Sequence, residues 1–239
     1  MKKIITAVSV AALAISLASC SSVKDNEAAA PVVTESATPT AATPAASESA
    51  SAAPASLCKP TKAVGHNPKN VAPPTKVRAS LPKTFTLKTN CGDIEITTVG
   101  SKAPYTLTSL ATLAEAGFYD GSLCHRLTTQ GLFVLQCGDP TATGSGGPTY
   151  TVGDENLPQE VANNYPAGTV AMANSGPNTN GSQFFLVFDD TTLGAAYTIW
   201  GTITKGLDTV KAIAAAGVAG GGGDGTPALT VAIDKVVVK

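Results

Sequence analysis

Alternating apolar and polar residues mark the first predicted elements of the chain. Residues 85–89 and 93–97 carry an apolar side chain at every second position, which is the period of a strand with one buried face. Asn90, Cys91 and Gly92 lie between them and form a turn signal. The two segments therefore predict a β-hairpin.

Two later segments have helical spacing. Leucines and alanines recur three and four positions apart between residues 104 and 116, where Pro104 suits the first turn and Gly117 suits the end. A second helix is predicted over residues 207–215, just before the glycine run at residues 220–223.

The remaining predicted elements are short strands joined by turns rich in Gly and Pro. They lie at residues 123–127, 133–136, 168–172, 184–188, 197–201 and 228–238. Many short strands with only two helices predict a mainly β domain whose sheet closes into an antiparallel barrel.

The beginning of the chain predicts export. Lys2 and Lys3 precede an apolar run over residues 4–18, which suits the core of a signal peptide and is short for a membrane-spanning helix. Residues 17–20, Leu-Ala-Ser-Cys, resemble the lipobox of bacterial lipoproteins, which implies cleavage before Cys20 and a lipid on its sulfur. The alternative is an ordinary secretory signal with a cysteine near its cleavage site.

These features divide the 239-residue chain into four segments. We expect a lipoprotein signal peptide over 1–19, then the lipidated Cys20 and a disordered Ala/Ser/Thr/Pro-rich stalk over 20–56. A basic connector follows over 57–84, and the folded domain covers 85–239. The stalk holds too little apolar surface to offset its ordering entropy. The connector carries basic residues and no acidic ones. It can be interpreted as a solvated linker or as a segment that contacts an anionic envelope surface.

Composition supports this division and excludes two classes of function. The six Phe, five Tyr and one Trp all lie at or after Phe85, and large side chains dominate core burial. The 16 Lys+Arg nearly balance the 17 Asp+Glu, so the chain lacks the basic surplus of a nucleic-acid-binding protein. Two histidines are too few for a histidine-rich metal site.

The cysteines predict disulfides. If Cys20 is lipidated, four of the five cysteines remain, and an even number in an exported chain favours two bridges with three possible connectivities. We favour Cys124–Cys137, which flanks a predicted two-stranded unit, and Cys58–Cys91, which would join the connector to the first hairpin. The spacings match no C-x-x-C metal or redox pattern.

Three stretches of the chain resemble the cyclophilin-type peptidyl-prolyl isomerases. They are residues 117–126 (GFYDGSLCHR), 134–139 (VLQCGD) and 171–185 (AMANSGPNTNGSQFF), to which Leu193 and residues 197–201 (YTIWG) add. The resemblance covers the chain from about Phe85 to its end. It implies a closed eight-stranded antiparallel β-barrel capped by two α-helices, and an isomerase that needs no cofactor and no metal.

The resemblance also implies the site residues. Arg126 matches the family's catalytic arginine, and a guanidinium suits this role because it stays charged and presents a fork of donors. Phe133 is expected to wall the pocket for the proline ring together with Phe185 and Leu193. The residues implied to contact substrate are Phe133, Val134, Gln136, Gly144, Asn174, Ser175, Gln183, Phe185, Leu193 and Tyr197.

Some positions depart from the family pattern. The segment between Arg126 and Gln136 is longer than usual, and Tyr197 stands where many members have histidine. Cys124 and Cys137 replace a phenylalanine and a glycine, which fits a cross-strand disulfide. None of these changes removes the arginine or the residues implied for the pocket.

We expect a monomeric, extracytoplasmic peptidyl-prolyl cis-trans isomerase, lipid-anchored to the cell membrane, whose partners are proline-containing segments of exported proteins. The alternative is a non-catalytic chaperone module that holds such segments in the same groove. A stalked wall-binding domain is a third hypothesis. The presence of Arg126 favours catalysis, because binding alone needs no charge beside the prolyl nitrogen.

Overall fold

A computed structural model describes residues 57–239. The signal peptide, the lipidated Cys20 and the stalk predicted for residues 1–56 lie outside the described residues. The described part contains the α-helices α1 (Pro104–Glu115) and α2 (Leu207–Ala215) and a short 3-10 turn at Gly100–Lys102. Neither α-helix has the length and hydrophobicity needed to cross a bilayer.

The strands of this part form one antiparallel sheet. They are β1 (Thr84–Thr89), β2 (Gly92–Thr98), β3 (Ser122–Leu123), β4 (Arg126–Gln130), β5 (Leu132–Cys137), β6 (Thr169–Met172), β7 (Phe184–Val187), β8 (Ile199–Lys205), β9 (Asp224–Gly225) and β10 (Ala232–Val238). Their order across the sheet is β3-β10-β1-β2-β8-β6-β7-β5-β4-β9.

The expectation of a closed eight-stranded barrel is wrong, because the sheet is an open, curled half-barrel of ten strands. The strand predicted over residues 123–127 breaks at Cys124 and His125, so that β3 pairs with β10 and β4 pairs with β5. The glycine run ends in the two-residue strand β9, which pairs with β4. A strand of two residues is too short to produce a periodic pattern, so the sequence did not predict it.

The main core lies on one face of this sheet, beneath α1. Leu107, Leu110 and Leu113 form the predicted stripe of α1, and all three are buried. Burial of each such side chain contributes about 1.5–3 kcal/mol relative to exposure. Phe85 and Phe184 pack edge to face against Trp200, with ring centroids 5.4 and 5.7 Å away. The predicted mainly β class with two helices is therefore confirmed.

A smaller apolar cluster lies on the opposite face of β5, β6 and β7. Side chains alternate between the two faces of a strand, so Leu135 and Cys137 of β5 enter the main core while Val134 enters the smaller cluster. Phe185 of β7 lies in the smaller cluster with Tyr165. This second face carries the candidate site.

Both favoured disulfides are present. Cys124–Cys137 links the break between β3 and β4 to the end of β5. Cys58–Cys91 joins the turn between β1 and β2 to the segment that precedes the sheet. We call residues 57–83, which contain no helix and no strand, the strap. Its lysines are exposed, whereas Leu57, Val71 and Leu81 pack against the main core.

Candidate active site

Two adjoining cavities lie on the face that carries the smaller cluster. The ring pocket has a volume of about 190 Å³ and the second pocket about 390 Å³. Gln136, Ala173 and Asn174 line both cavities. The other residues that line the ring pocket are Arg126, Leu132, Val134, Phe185, Leu193 and Tyr197. The two cavities together form a continuous groove across the ends of β5 and β7.

Aromatic and aliphatic side chains held by packing and hydrogen bonds form one part of the wall of the ring pocket. The Phe185 ring packs edge to face against Tyr197, at 5.6 Å between centroids, and against Tyr165, at 6.2 Å. Asn164 holds Leu193 from both sides, because its Oδ1 accepts from the Leu193 N–H at 3.0 Å and its Nδ2 donates to the Leu193 carbonyl at 2.7 Å. Such a cavity suits a five-membered apolar ring.

Arg126 is the cationic residue at the ring pocket. It begins β4 and lies directly opposite Gln136 of β5 in the strand register. Its Nε and Nη2 donate to the Asp224 carboxylate at 2.8 and 2.7 Å, and its Nη1 donates to Gln136 Oε1 at 3.4 Å. The Asp224 hydrogen bonds raise the pKa of Arg126, and the guanidinium lowers the pKa of Asp224. The guanidinium is therefore charged and has a defined orientation.

Side-chain amides connect Arg126 to the second pocket. Gln136 accepts from Arg126, and its Nε2 donates to Gln183 Oε1 at 2.9 Å. Gln183 Nε2 in turn donates to the carbonyls of Gly144 and Gly146 at 3.0 and 2.9 Å. The two cavities thus share one hydrogen-bonded network, and its hydrogen bonds fix the orientation of the Gln136 and Gln183 side-chain amides.

Asp139 holds the glycine loop that borders the second pocket. Its carboxylate accepts from the N–H groups of Thr141, Thr143, Gly144 and Gly146 at 2.7–3.0 Å. Burial opposes the charge of Asp139, but these hydrogen bonds outweigh burial and lower its pKa. A Cβ at residue 146 would lie 2.0 Å from Asp139 Oδ1, so only glycine fits there.

The structure divides the predicted contact residues between the two cavities. Five of them line the ring pocket beside Arg126, namely Val134, Gln136, Phe185, Leu193 and Tyr197. Asn174 lies between the cavities, where its Nδ2 donates to the Ala196 carbonyl at 2.8 Å. Three others line the second pocket, namely Gly144, Ser175 and Gln183. Gln183 thus lines the second pocket and not the ring pocket.

Phe133 does not line the ring pocket, which corrects the prediction. Its ring packs against Phe188 at 6.0 Å between centroids, next to the main core. Because successive side chains of a strand point to opposite faces, the face that presents Val134 and Gln136 also presents Leu132. Leu132 therefore takes the place that the prediction gave to Phe133.

Asp224 is a second site residue that sequence reasoning missed. It stands 98 residues from Arg126 and forms a bidentate ion pair with it. The available signal was a single carboxylate directly after the glycine run at residues 220–223. Gly220, Gly221 and Gly222 all have positive φ, which favours glycine and turns the chain back toward β4.

Comparison with known proteins identifies the family. The family model described as "Cyclophilin type peptidyl-prolyl cis-trans isomerase/CLD" matches residues 84–238. The chain belongs to the cyclophilin-type isomerase family. The strap lies outside the matched residues, whereas the residues of β4, β5 and β7 that line the groove lie within them.

The relatives of this cyclophilin-type chain include mycobacterial proteins. The chain is 47% identical over 161 residues to a "Probable peptidyl-prolyl cis-trans isomerase B" of Mycobacterium tuberculosis. That alignment covers 63% of this chain and 52% of that protein. The chain is 38% identical over 171 residues to a "Probable peptidyl-prolyl cis-trans isomerase A" of Mycobacterium leprae, with 65% and 91% covered. The chain therefore spans about half the length of the isomerase B relatives.

Solved structures agree with the family assignment. A cyclophilin type peptidyl-prolyl cis-trans isomerase from Cryptosporidium parvum is similar with a TM-score of 0.58 and 27% identity, covering 66% of this chain and 98% of that one. A second structure of that protein, determined in the presence of the dipeptide Ala-Pro, has a TM-score of 0.57. The fold of the described domain is thus cyclophilin-like.

Proposed function

We propose that the chain is a peptidyl-prolyl cis-trans isomerase that acts on proline-containing segments of polypeptides. The observation that carries the proposal is the charged guanidinium of Arg126 at the wall of a cavity of about 190 Å³ to which Leu132, Val134, Phe185 and Leu193 contribute apolar side chains. The names of the relatives and the Ala-Pro dipeptide used with the Cryptosporidium parvum protein support the same substrate class.

The reaction requires the amide bond before proline to lose its partial double-bond character. This loss accounts for a barrier of about 18–20 kcal/mol, and the uncatalysed exchange takes tens to hundreds of seconds. Leu132, Val134 and Phe185 would grip the pyrrolidine ring while the rest of the peptide rotates. No covalent bond forms or breaks, so the reaction needs no nucleophile and no proton transfer.

Arg126 would stabilise the twisted amide. Asp224 occupies Nε and Nη2, so Nη1 is the donor on the side of Gln136 and the groove. As the amide twists, the prolyl nitrogen gains a lone pair that accepts a hydrogen bond from this group. A hydrogen bond to a charged donor contributes about 1.5–3 kcal/mol, which corresponds to about 10- to 150-fold in rate.

A protease-coupled isomerisation assay on a proline peptide tests the function. We expect the wild-type protein to accelerate exchange and Arg126→Ala to lose about 10- to 150-fold in kcat/KM. Lys88→Ala is the control, because Lys88 is an exposed cation paired with Asp93 on the β1–β2 hairpin, away from the groove. Equal activity of Arg126→Ala and wild type would contradict the proposal. Peptide binding by wild type without turnover would favour the chaperone alternative.

We also propose that the protein is exported and lipid-anchored outside the cytoplasm. Support comes from the lipobox-like residues before Cys20 and from the two disulfides, which persist in oxidising compartments. Growth with a labelled fatty acid tests the anchor. We expect label on the wild-type protein in the membrane fraction and none on Cys20→Ala. Labelled Cys20→Ala, or unlabelled wild type, would contradict the anchor without affecting the isomerase proposal.

A further inference from the structure

The strap is attached to the domain at both of its ends. The Cys58–Cys91 disulfide fixes its start, and the Lys59 N–H donates to the Asn90 carbonyl at 2.9 Å. Near its end, Arg78 forms an ion pair with Glu115 of α1. A segment held at both ends and packed by apolar side chains between them is a part of the domain rather than a tether.

Between these ends the strap lies against the loop that borders the second pocket. The His66 N–H donates to the Pro140 carbonyl at 2.8 Å. A Cβ at Gly65 would lie 2.3 Å from the Thr141 carbonyl oxygen, so the backbones of strap and loop are in close contact. Thr141 and its neighbours are held by Asp139, which orders the surface on which the strap rests.

Pro68 of the strap lines the second pocket. It lies there together with Gln183 and residues 144–148 of the glycine loop. Pro68 belongs to a segment that the family model does not match, whereas the rest of this cavity wall belongs to the matched residues. The strap therefore contributes one residue to a groove whose other lining residues all belong to the matched part of the chain.

We propose that the strap is a specificity element and that Pro68 selects the side chain that flanks proline in the substrate. This inference rests on the proposed isomerase function. The second pocket continues directly from the ring pocket through Gln136 and Asn174, so a peptide whose proline fills one cavity presents a flanking residue to the other.

The lining of the second pocket defines the chemistry of that flanking side chain. Within the described residues the lining contains neutral side chains and backbone only, so nothing there would compensate a buried charge. Pro68 and Pro148 supply apolar surface in a lining that is otherwise mostly polar. The favoured flanking residue is therefore neutral and large enough to reach Pro68, such as leucine, rather than glycine or a charged residue.

Two peptide series test the proposal, one varied before the proline and one varied after it, each with Gly, Leu and Glu. We expect Pro68→Ala to lower the Leu-to-Gly ratio of kcat/KM about three- to tenfold in one series, because leucine loses an apolar contact that glycine never makes. Pro73→Ala is the matched control, because Pro73 is exposed on the same strap and does not line the cavity.

A second variant moves the strap without changing any residue of the groove. Gly65→Val would place a side chain against the Thr141 carbonyl and push the strap away from the loop. We expect it to reproduce the selectivity change of Pro68→Ala. An unchanged Leu-to-Gly ratio in both variants, with an active wild type, would overturn the strap inference alone. If the wild-type protein binds the peptides but does not isomerise them, the proposed function fails. The Leu-to-Gly ratio of the dissociation constants, compared between wild type and Pro68→Ala, then still decides the role of Pro68.

Discussion

Replacement of Asp224 by Asn tests whether a carboxylate outside the groove positions the guanidinium of Arg126. Asn keeps the size of the side chain and one acceptor oxygen but removes the charge and the bidentate pairing. The Arg126 side chain is 39% exposed and the Asp224 side chain 56%, so solvent screens their attraction. An exposed pair of this kind contributes only about 0.2–1 kcal/mol to stability. We therefore expect a stability loss below about 1 kcal/mol in Asp224→Asn.

The effect on activity should be of similar size but should come from orientation. In Asp224→Asn, one amide oxygen replaces the two carboxylate oxygens, so Arg126 loses the bidentate pairing and keeps the longer 3.4 Å hydrogen bond to Gln136, and substrate must order the guanidinium as the amide twists. Ordering such a side chain costs about 0.5–1 kcal/mol, which predicts a two- to fivefold loss of kcat/KM at neutral pH. Asp93→Asn, which breaks the exposed pair with Lys88, is the control and should leave kcat/KM unchanged.

The pH dependence separates positioning from a merely structural role. The ion pair holds the pKa of Asp224 below its ordinary value, which is about 3.9 in an unfolded chain. The contribution of the pair is therefore complete above that value and is lost as pH falls through the lowered pKa of the folded state. NMR exchange spectroscopy would measure kcat/KM for both proteins. The wild-type value divided by the Asp224→Asn value should fall toward one in acid. A variant as active as wild type at pH 7, or a ratio independent of pH, would refute this reasoning.

Three further predictions follow from packing and hydrogen bonding. Phe185→Ala should lower kcat/KM at least about tenfold in the protease-coupled assay, because Phe185 lines the ring pocket. Phe133 packs beside the main core, so Phe133→Ala should lower the denaturant midpoint and keep the activity of the folded protein. Replacing both Cys124 and Cys137 by Ala should lower the free energy of unfolding by about 3 kcal/mol, as expected for a short loop, and urea unfolding would measure it. Because the pKa of Asp139 is lowered in the folded protein, its carboxylate stabilises the fold at pH values above the pKa of the unfolded state, and this contribution is lost in strong acid. Asp139→Asn should therefore destabilise the protein at pH 7 and make the fall of Tm between about pH 5 and 2 less steep.

Local periodicity was sufficient to predict most elements of the fold. Alternation placed β1 and β2, and α2 covers the predicted residues 207–215. The same signal could not place the break between β3 and β4, because Leu123 and Leu127 continue the apolar run across Cys124 and His125. What divides this run is its pairing with two different partner strands, which is a long-range property.

The site was predictable where family motifs were compact and unpredictable where distant segments meet. Val134, Gln136 and Phe185 lie in short motifs and also line the ring pocket. The longer segment after Arg126 hid which residue of β5 faces the groove, so Phe133 was predicted in place of Leu132. Asp224 and Pro68 come from a glycine-rich turn and from the strap, where neither periodicity nor a motif reports contacts with the groove.

The central claim is that the Arg126 guanidinium acts on the twisted amide and not on peptide binding. NMR exchange spectroscopy of a proline peptide, recorded with enough protein to saturate it, measures the cis–trans exchange rate of the bound peptide and the dissociation constant together. We expect Arg126→Ala to slow bound exchange at least about tenfold and to change the dissociation constant less than about threefold. Bound exchange at the wild-type rate, with a loss of affinity instead, would contradict this claim.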